Sequence, residues 1–297
     1  VRLLVSILPV VAEETCFCLK DGTAINLFLR DMPRLSVDID LVYLPINDRE
    51  VALHGIENGL TNIKNKILNL FPGIEVTEKR DIKNHKLSKL YVRDHQAQIV
   101  IEPNNILRGS LCPVEKRHFS PHVEAMLQMS ASNIPILHSS EIYAGKICAA
   151  LDRQHPRDLF DIKLLYENEG LTEEIRKAFV VYLASGSRPI HELLVPNLLE
   201  NQPLFDQEFL GMSTTAVSYK DLLSARQQLI RDVGTQLTQK ERLFLLSMAH
   251  GEPDYSLMPF SNLDQLPAIR WKMLNVVRME DKKRKHMEDK LKEALKV

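Results

Sequence analysis

Two aspartates two residues apart, Asp38 and Asp40 in "SVDIDLVYL", are the residues of this chain best spaced to do chemistry. Residues at i and i+2 of a strand share a face, about 6.6 Å apart along the axis. Both carboxylates then point one way, while Val37, Ile39 and Leu41 turn to the other side and bury. Such a pair can close on one Mg²⁺, with phosphate oxygens completing the octahedron. D-x-D alone is common and fits two surface acids on a half-exposed strand better than a metal site; the preceding residues shift that balance. Gly22 and Thr23 lead into "AINLFL", a helix start whose free N–H groups favour an anion. Asn26, one turn into that helix, can bond back to the loop or to a ligand. Ser36, two residues before Asp38 on the same face, can donate to a phosphate. A phosphate-binding turn, a short spacer and an apolar strand carrying D-x-D together assemble a metal–triphosphate site.

A third carboxylate is available. In "QAQIVIEPN", Gln98, Val100 and Glu102 alternate with Ile99 and Ile101, so Glu102 can stand on the open face of a neighbouring strand. There it serves as a second metal ligand, as general base for an incoming hydroxyl, or as a solvated glutamate at the end of a strand. Farther on, in "EIYAGKICAALDRQHPRDLFDI", Tyr143, Ile147, Ala150 and Leu151 form a buried helical stripe. Lys146 flanks that stripe and can reach a cleft as a point charge on a triphosphate. Pro156 starts the next helix with Asp158 in its first turn, where the helix dipole favours an acid. Arg157 can pair with Asp158, and Asp161 follows one turn later.

The elements that must position these residues are legible from periodicity. "HGIENGLTNIKNKILNLF" places Ile56, Leu60, Ile63, Ile67, Leu70 and Phe71 at helical spacing, as an amphipathic helix, and Pro72 and Gly73 end it. "IEVTEKR", "KLSKLYVRD" and "HQAQIVIEP" read as three short strands. The expected fold is α+β, a mixed-sheet domain over 1–137 followed by a helical domain over 138–297 that contributes the Lys and Asp motifs. The helical half includes "AIRWKMLNVVRMEDKKRKHMEDKLKEAL", read as helical to the end with a solvated terminal segment. His191 and His250 lack metal-ligand spacing and read as structural or solvent-facing.

Bulk properties narrow the class. At 297 residues, 44% apolar and 26% charged, the chain has a soluble globular composition, and a net charge of −1 excludes a globally basic nucleic-acid coat. The segment "EKRDIKNHKLSKLYVRDH" reads equally as an exposed β-hairpin or as a local track for RNA phosphates, through Lys79, Arg80, Lys83, Lys86, Lys89 and Arg93. Four scattered cysteines give neither a disulfide framework nor a zinc site, which suggests a reducing compartment. The opening "VRLLVSILPVVAEE" has a short apolar run like a signal peptide, but Pro9 breaks it and the Gly-Thr turn follows closely. No stretch has the length of a membrane span, so a cytoplasmic location is expected.

Four segments in order, "LKDGTAINLF", "RLSVDIDL", "KICAALDR" and "PRDLFDI", resemble the AbiEii/AbiGii toxin family of nucleotidyltransferases, the MenT-like toxin halves of type IV toxin–antitoxin phage-defence systems. The resemblance covers roughly 17–165. It implies a nucleotidyltransferase fold with an added helical region, Mg²⁺, a nucleoside triphosphate, an RNA acceptor such as the tRNA 3′ end, and a cognate antitoxin encoded nearby. It assigns Ser36, Asp38 and Asp40 to the metal and phosphate motif, Lys146 to the triphosphate side, and Asp158 to the last motif. The departure is Asp21, where the family usually has glycine. There a side chain and a negative charge are added beside the phosphate turn, unless Lys20 pairs with the acid or it turns outward. Three readings therefore stand: a toxin acting on RNA with activity impaired by Asp21, a transferase acting on a protein or small molecule, and a non-catalytic nucleotide- or antitoxin-binding module.

Overall fold

The computed structural model describes residues 1–297, which fall into two units, Val1–His138 and Ser139–Val297. The first unit runs α1 (Arg2–Ala12), β1 (Phe17–Leu19), α2 (Asp21–Ala24), a π-helical turn (Ile25–Leu29), β2 (Asp38–Tyr43) and α3 (Arg49–Leu70). It continues with β3 (Glu75–Arg80), β4 (Leu87–Arg93), β5 (Gln98–Asn104), β6 (Glu115–Arg117), α4 (Pro121–Leu127) and β7 (Ile134–Ile136). The seven strands form one mixed sheet in the order β3-β4-β5-β2-β1-β7-β6. The β2–β5 and β1–β7 pairs are parallel and the others antiparallel.

One face of this sheet is the core. Ile39, Leu41, Leu90, Val92, Ile99 and Ile101 are all buried on it, and α1 and α3 pack there. The stripe Ile56, Leu60, Ile63 and Ile67 of α3 is covered, each side chain contributing about 1.5–3 kcal/mol on burial. Its expected continuation fails in the last turn, where Leu70 is 59% exposed and Phe71 lies past the helix end. Close approach of α3 depends on Gly55 and Gly59, where an added Cβ would come 2.1 Å from Tyr43 Oη and 2.6 Å from Phe17 Cε2. The apolar opening run is part of this core: Leu4, Val5, Ile7, Leu8 and Val11 of α1 are buried, and Pro9 sits on its exposed side.

The second unit is helical: α5 (Ser139–Asp152), α6 (Pro156–Asn168), α7 (Glu173–Ser185), α8 (Ile190–Leu194), α9 (Gln202–Glu208), α10 (Tyr219–Thr235), α11 (Gln239–His250), α12 (Pro267–Val277) and α13 (Asp281–Leu295). The starts of α6, α7, α10 and α11 carry side-chain caps, including the reciprocal Ser218/Asp221 and Thr238/Glu241 boxes. Three further expectations need correction. The last helical stretch is two helices, broken at 278–280 without proline or glycine. The helix after Lys20 begins at Asp21, before the Gly-Thr pair, and widens into a π turn. Val37 does not bury: β2 starts one residue later, and Val37 is 40% exposed.

Candidate active site

The face of the sheet opposite α1 and α3 carries the candidate chemistry. Asp38 and Asp40 are half-buried and project from β2 on one side, while Ile39 and Leu41 are buried on the other. The parallel register sets Asp40 beside Glu102 of β5 and Asp38 beside Val100. Extending the antiparallel β1–β2 register by one residue places Lys20 across from Asp40, where the Lys20 N–H donates to the Asp40 carbonyl at 3.0 Å. On the outer side Lys89 Nζ lies 2.5 Å from Glu102 Oε2. The row Lys89, Glu102, Asp40, Lys20 thus sets two adjacent acids between two cations.

The turn before β2 is held together by its own side chains. Thr23 is fully buried, donates to the Asp38 carbonyl at 2.5 Å, and lies 2.7 Å from Ser36 Oγ. Its single proton is committed to that carbonyl, so Ser36 must be the donor in the Thr23–Ser36 bond. Ser36 also precedes β2 and is not one of its residues. In this arrangement it offers a phosphate its lone pairs rather than its proton, contrary to expectation. Asn26 is fully buried and bonds back to the loop, its Nδ2 donating to the Gly22 carbonyl at 2.6 Å, while its Oδ1 has no partner.

Two features of the loop explain its residue types. Asp21 has φ +59°, the left-handed conformation that costs glycine nothing and that aspartate tolerates better than most residues. Its carboxylate lies 3.4 Å from Lys20 Nζ, so the pairing that would offset its charge is present. Gly22 leaves room for a protein neighbour: a Cβ there would stand 2.9 Å from Nη2 of Arg34, which would have to shift. Arg34 is only 4% exposed, and its Nη1 donates to the Leu35 carbonyl at 3.0 Å. Residue-by-residue reading gave Arg34 no role. The signal was the arginine of "RLSVDID", two positions before Ser36.

In the second unit the two later motifs build one buried ionic cluster. Lys146 Nζ lies 2.8 Å from Asp158 Oδ1 and 3.2 Å from Asp161 Oδ2, with all three side chains at 2% exposure or less. Arg153 closes on Asp158 from outside with two bonds, Nε to Oδ2 at 2.5 Å and Nη2 to Oδ1 at 3.0 Å. Lys146 is therefore tied down by two acids and does not stand out as an exposed point charge. Asp158 occupies the first turn of α6, as its position after Pro156 implied. Its guanidinium partner is Arg153; Arg157 instead points toward Glu208, at 3.8 Å. His155 caps α6 through Nδ1, which accepts the Arg157 N–H at 3.1 Å. Burial holds the His155 imidazole below its ordinary value, against the upward pull of the Glu208 hydrogen bond.

The basic segment divides. Arg80 pairs with Glu57 and Glu78, Lys86 with Glu57, and Lys89 with Glu102, so half of the expected track is neutralised locally. His250 lies 3.1 Å from Glu288 on the surface, and His191 is partly covered, as their lack of ligand spacing suggested. No three His, Cys, Asp or Glu side chains converge into a ready metal cage. Asp38 and Asp40 still suit Mg²⁺, which commonly takes one or two carboxylates and fills its shell with water and substrate phosphate.

A mixed sheet showing D-x-D on its open face, next to a buried Gly-Thr turn, is the architecture of a nucleotidyltransferase. Residues 2–274 match the family described as "Nucleotidyl transferase AbiEii toxin, Type IV TA system", and the chain belongs to that family. It is a nucleotidyltransferase of the toxin side of type IV toxin–antitoxin systems. Among solved structures the fold is similar to MenT4, nucleotidyltransferase toxin Rv2826c from Mycobacterium tuberculosis H37Rv, with TM-score 0.61 and 15% identity over 99% of this chain and 91% of that one. No curated protein sequence matches the chain. No helix is long and apolar enough to cross a membrane.

Proposed function

We propose that this toxin transfers a nucleotidyl group from a nucleoside triphosphate to an RNA 3′ hydroxyl, with the tRNA 3′ end as acceptor. The observation that carries the reading is the placement of Asp38, Asp40 and Glu102 on one sheet face in adjacent strands. Asp38 and Asp40 would hold Mg²⁺, which supplies charge neutralisation at the phosphate oxygens when bound. The acceptor oxygen forms its bond to the α-phosphorus as the bond to pyrophosphate breaks. Glu102, exchanging Lys89 for the acceptor, takes the hydroxyl proton. Gly22, Thr23, Asn26 and Ser36 shape the phosphate turn, with Thr23 fixing the backbone of Asp38 relative to it. Lys146 and Asp158 enter as the triphosphate-side lysine and its acidic partner. A cognate antitoxin encoded nearby would restrain the activity.

Asp21 damps this activity by setting a carboxylate at the phosphate turn, where Lys20 offsets its charge at 3.4 Å. The same residue motivates a second reading, a non-catalytic module that binds nucleotide or antitoxin. The test is incorporation of each α-³²P-labelled nucleoside triphosphate into total tRNA with Mg²⁺, for the chain and for Asp21→Gly. Label on tRNA from the glycine form, with less from the chain itself, supports the proposal. Label in a protein or small-molecule fraction reassigns the acceptor, and silence from both forms favours the binding module.

A further inference from the structure

The open sheet face continues past the carboxylates, and its composition changes as it does. Cross-strand register puts Asp38, Val100, Tyr91 and Thr77 in one row and Asp40, Glu102, Lys89 and Lys79 in the next. Arg93 lies beyond Tyr91 on β4, opposite Gln98 and Glu75. Lys79, Thr77, Arg93 and Gln98 are exposed and Tyr91 is partly exposed. Arg80, Lys86 and Lys89 are committed to carboxylates, whereas Lys79 and Arg93 form no ion pair. One aromatic ring thus lies between two uncommitted cations, two strand spacings or about 10 Å from the strand of Asp38.

We propose that this face of β3, β4 and β5 is the track on which a single-stranded RNA acceptor lies, with Tyr91 stacking one base and Lys79 and Arg93 holding phosphates. This inference rests on the reading of RNA as the acceptor. An aromatic platform flanked by cations binds a strand without regard to sequence, because every base has a face to stack and every residue a phosphate. The near-neutral chain needs only this local surface, since patches rather than totals attract phosphate. An acidic or apolar protein partner is the competing occupant, and it would not depend on the ring as a stacking surface.

The test is fluorescence anisotropy of the full chain with a 5′-fluorescein single-stranded oligoribonucleotide of about ten residues, across a salt series. Tyr91→Ala is expected to weaken binding about fivefold to a hundredfold, with Tyr91→Phe close to the parent. Replacing Lys79 and Arg93 together by glutamine should flatten the log Kd against log salt slope by about 1.4. Arg80→Gln, which disturbs a committed cation, should leave binding unchanged. RNA binding that is indifferent to Tyr91→Ala and to the double glutamine variant overturns the track, as does a chain with no affinity for the oligonucleotide. Transfer to RNA with an unchanged acceptor KM in those variants overturns the track while the proposed transfer stands. Binding that depends on Tyr91 without any transfer keeps the track and removes the proposed reaction.

Discussion

Replacing Lys146 by methionine separates a structural from a chemical role for the later motifs. The substitution keeps the side-chain length and removes the ammonium that lies 2.8 Å from Asp158 and 3.2 Å from Asp161. Those two carboxylates are 1% and 0% exposed, so water cannot replace the lost partner. Breaking a buried ion pair by removing one member costs about 3–5 kcal/mol. With a urea slope of about 2 kcal/mol per molar, the unfolding midpoint should fall by about 2 M. The assay is urea denaturation followed by the helical circular dichroism signal and by Trp271, the chain's one tryptophan, which lies in the same unit. Adding Asp158→Asn to Lys146→Met should recover part of the loss, because a buried negative charge leaves with the positive one. A midpoint within about 0.5 M of the parent, coupled to complete loss of nucleotide transfer, would refute this reasoning and make Lys146 a catalytic cation with no structural duty.

Four further outcomes are expected. Asp21→Gly should raise the melting temperature slightly, since a residue at φ +59° is returned to one that adopts it freely at a gain of about 1 kcal/mol, while nucleotide incorporation rises. Glu102→Gln should abolish transfer yet leave triphosphate binding, measured by calorimetry, within about threefold of the parent, because the amide cannot accept the proton. Gly59→Ala should lower stability by about 1–3 kcal/mol in the same urea assay, as its methyl would meet the Phe17 ring at 2.6 Å. The pH dependence follows from His155: its folded value is depressed by burial, so the unfolded chain binds the proton more readily. The contribution is intact above the ordinary histidine value of about 6.5 and is lost as the pH falls from there through the lower folded value. His155→Asn, which keeps a capping acceptor, should flatten that part of a melting-temperature profile.

The sequence carried the local half of this site and missed the half that depends on distant pairing. Alternation around Asp38 and Glu102 identified both strands and their open faces, because burial of Ile39, Leu41, Ile99 and Ile101 leaves the acids no other side. That Glu102 stands directly beside Asp40 is a parallel register between strands more than fifty residues apart, which no local pattern encodes. Lys146 was legible as a residue at the edge of an apolar stripe. Its burial follows from Asp158 and Asp161 arriving on the next helix, one turn apart, as a charge complement. The reading of Val37 failed at a strand boundary, where one residue of register changes the face. The basic segment was legible only as a count of charges, which cannot see Glu57 reaching Arg80 and Lys86 from α3. The break between α12 and α13 carries no proline or glycine to announce it.

The π turn after Thr23 has an evolutionary consequence. Its Arg30 N–H reaches the Ile25 carbonyl at 2.9 Å, five residues back, which makes the turn one residue longer than an α-helical path between the same ends. Loss of a single residue from 27–29 would therefore be absorbed by closing the turn to ordinary pitch, at little cost in hydrogen bonds. The same event would swing Gly22 and Thr23 by about 100° relative to Arg34 and Ser36. A one-residue deletion, harmless to the helix as a helix, would thus disassemble the phosphate turn. Lineages that keep the transferase reaction should hold this length fixed, and those that have lost it are where the gap is expected.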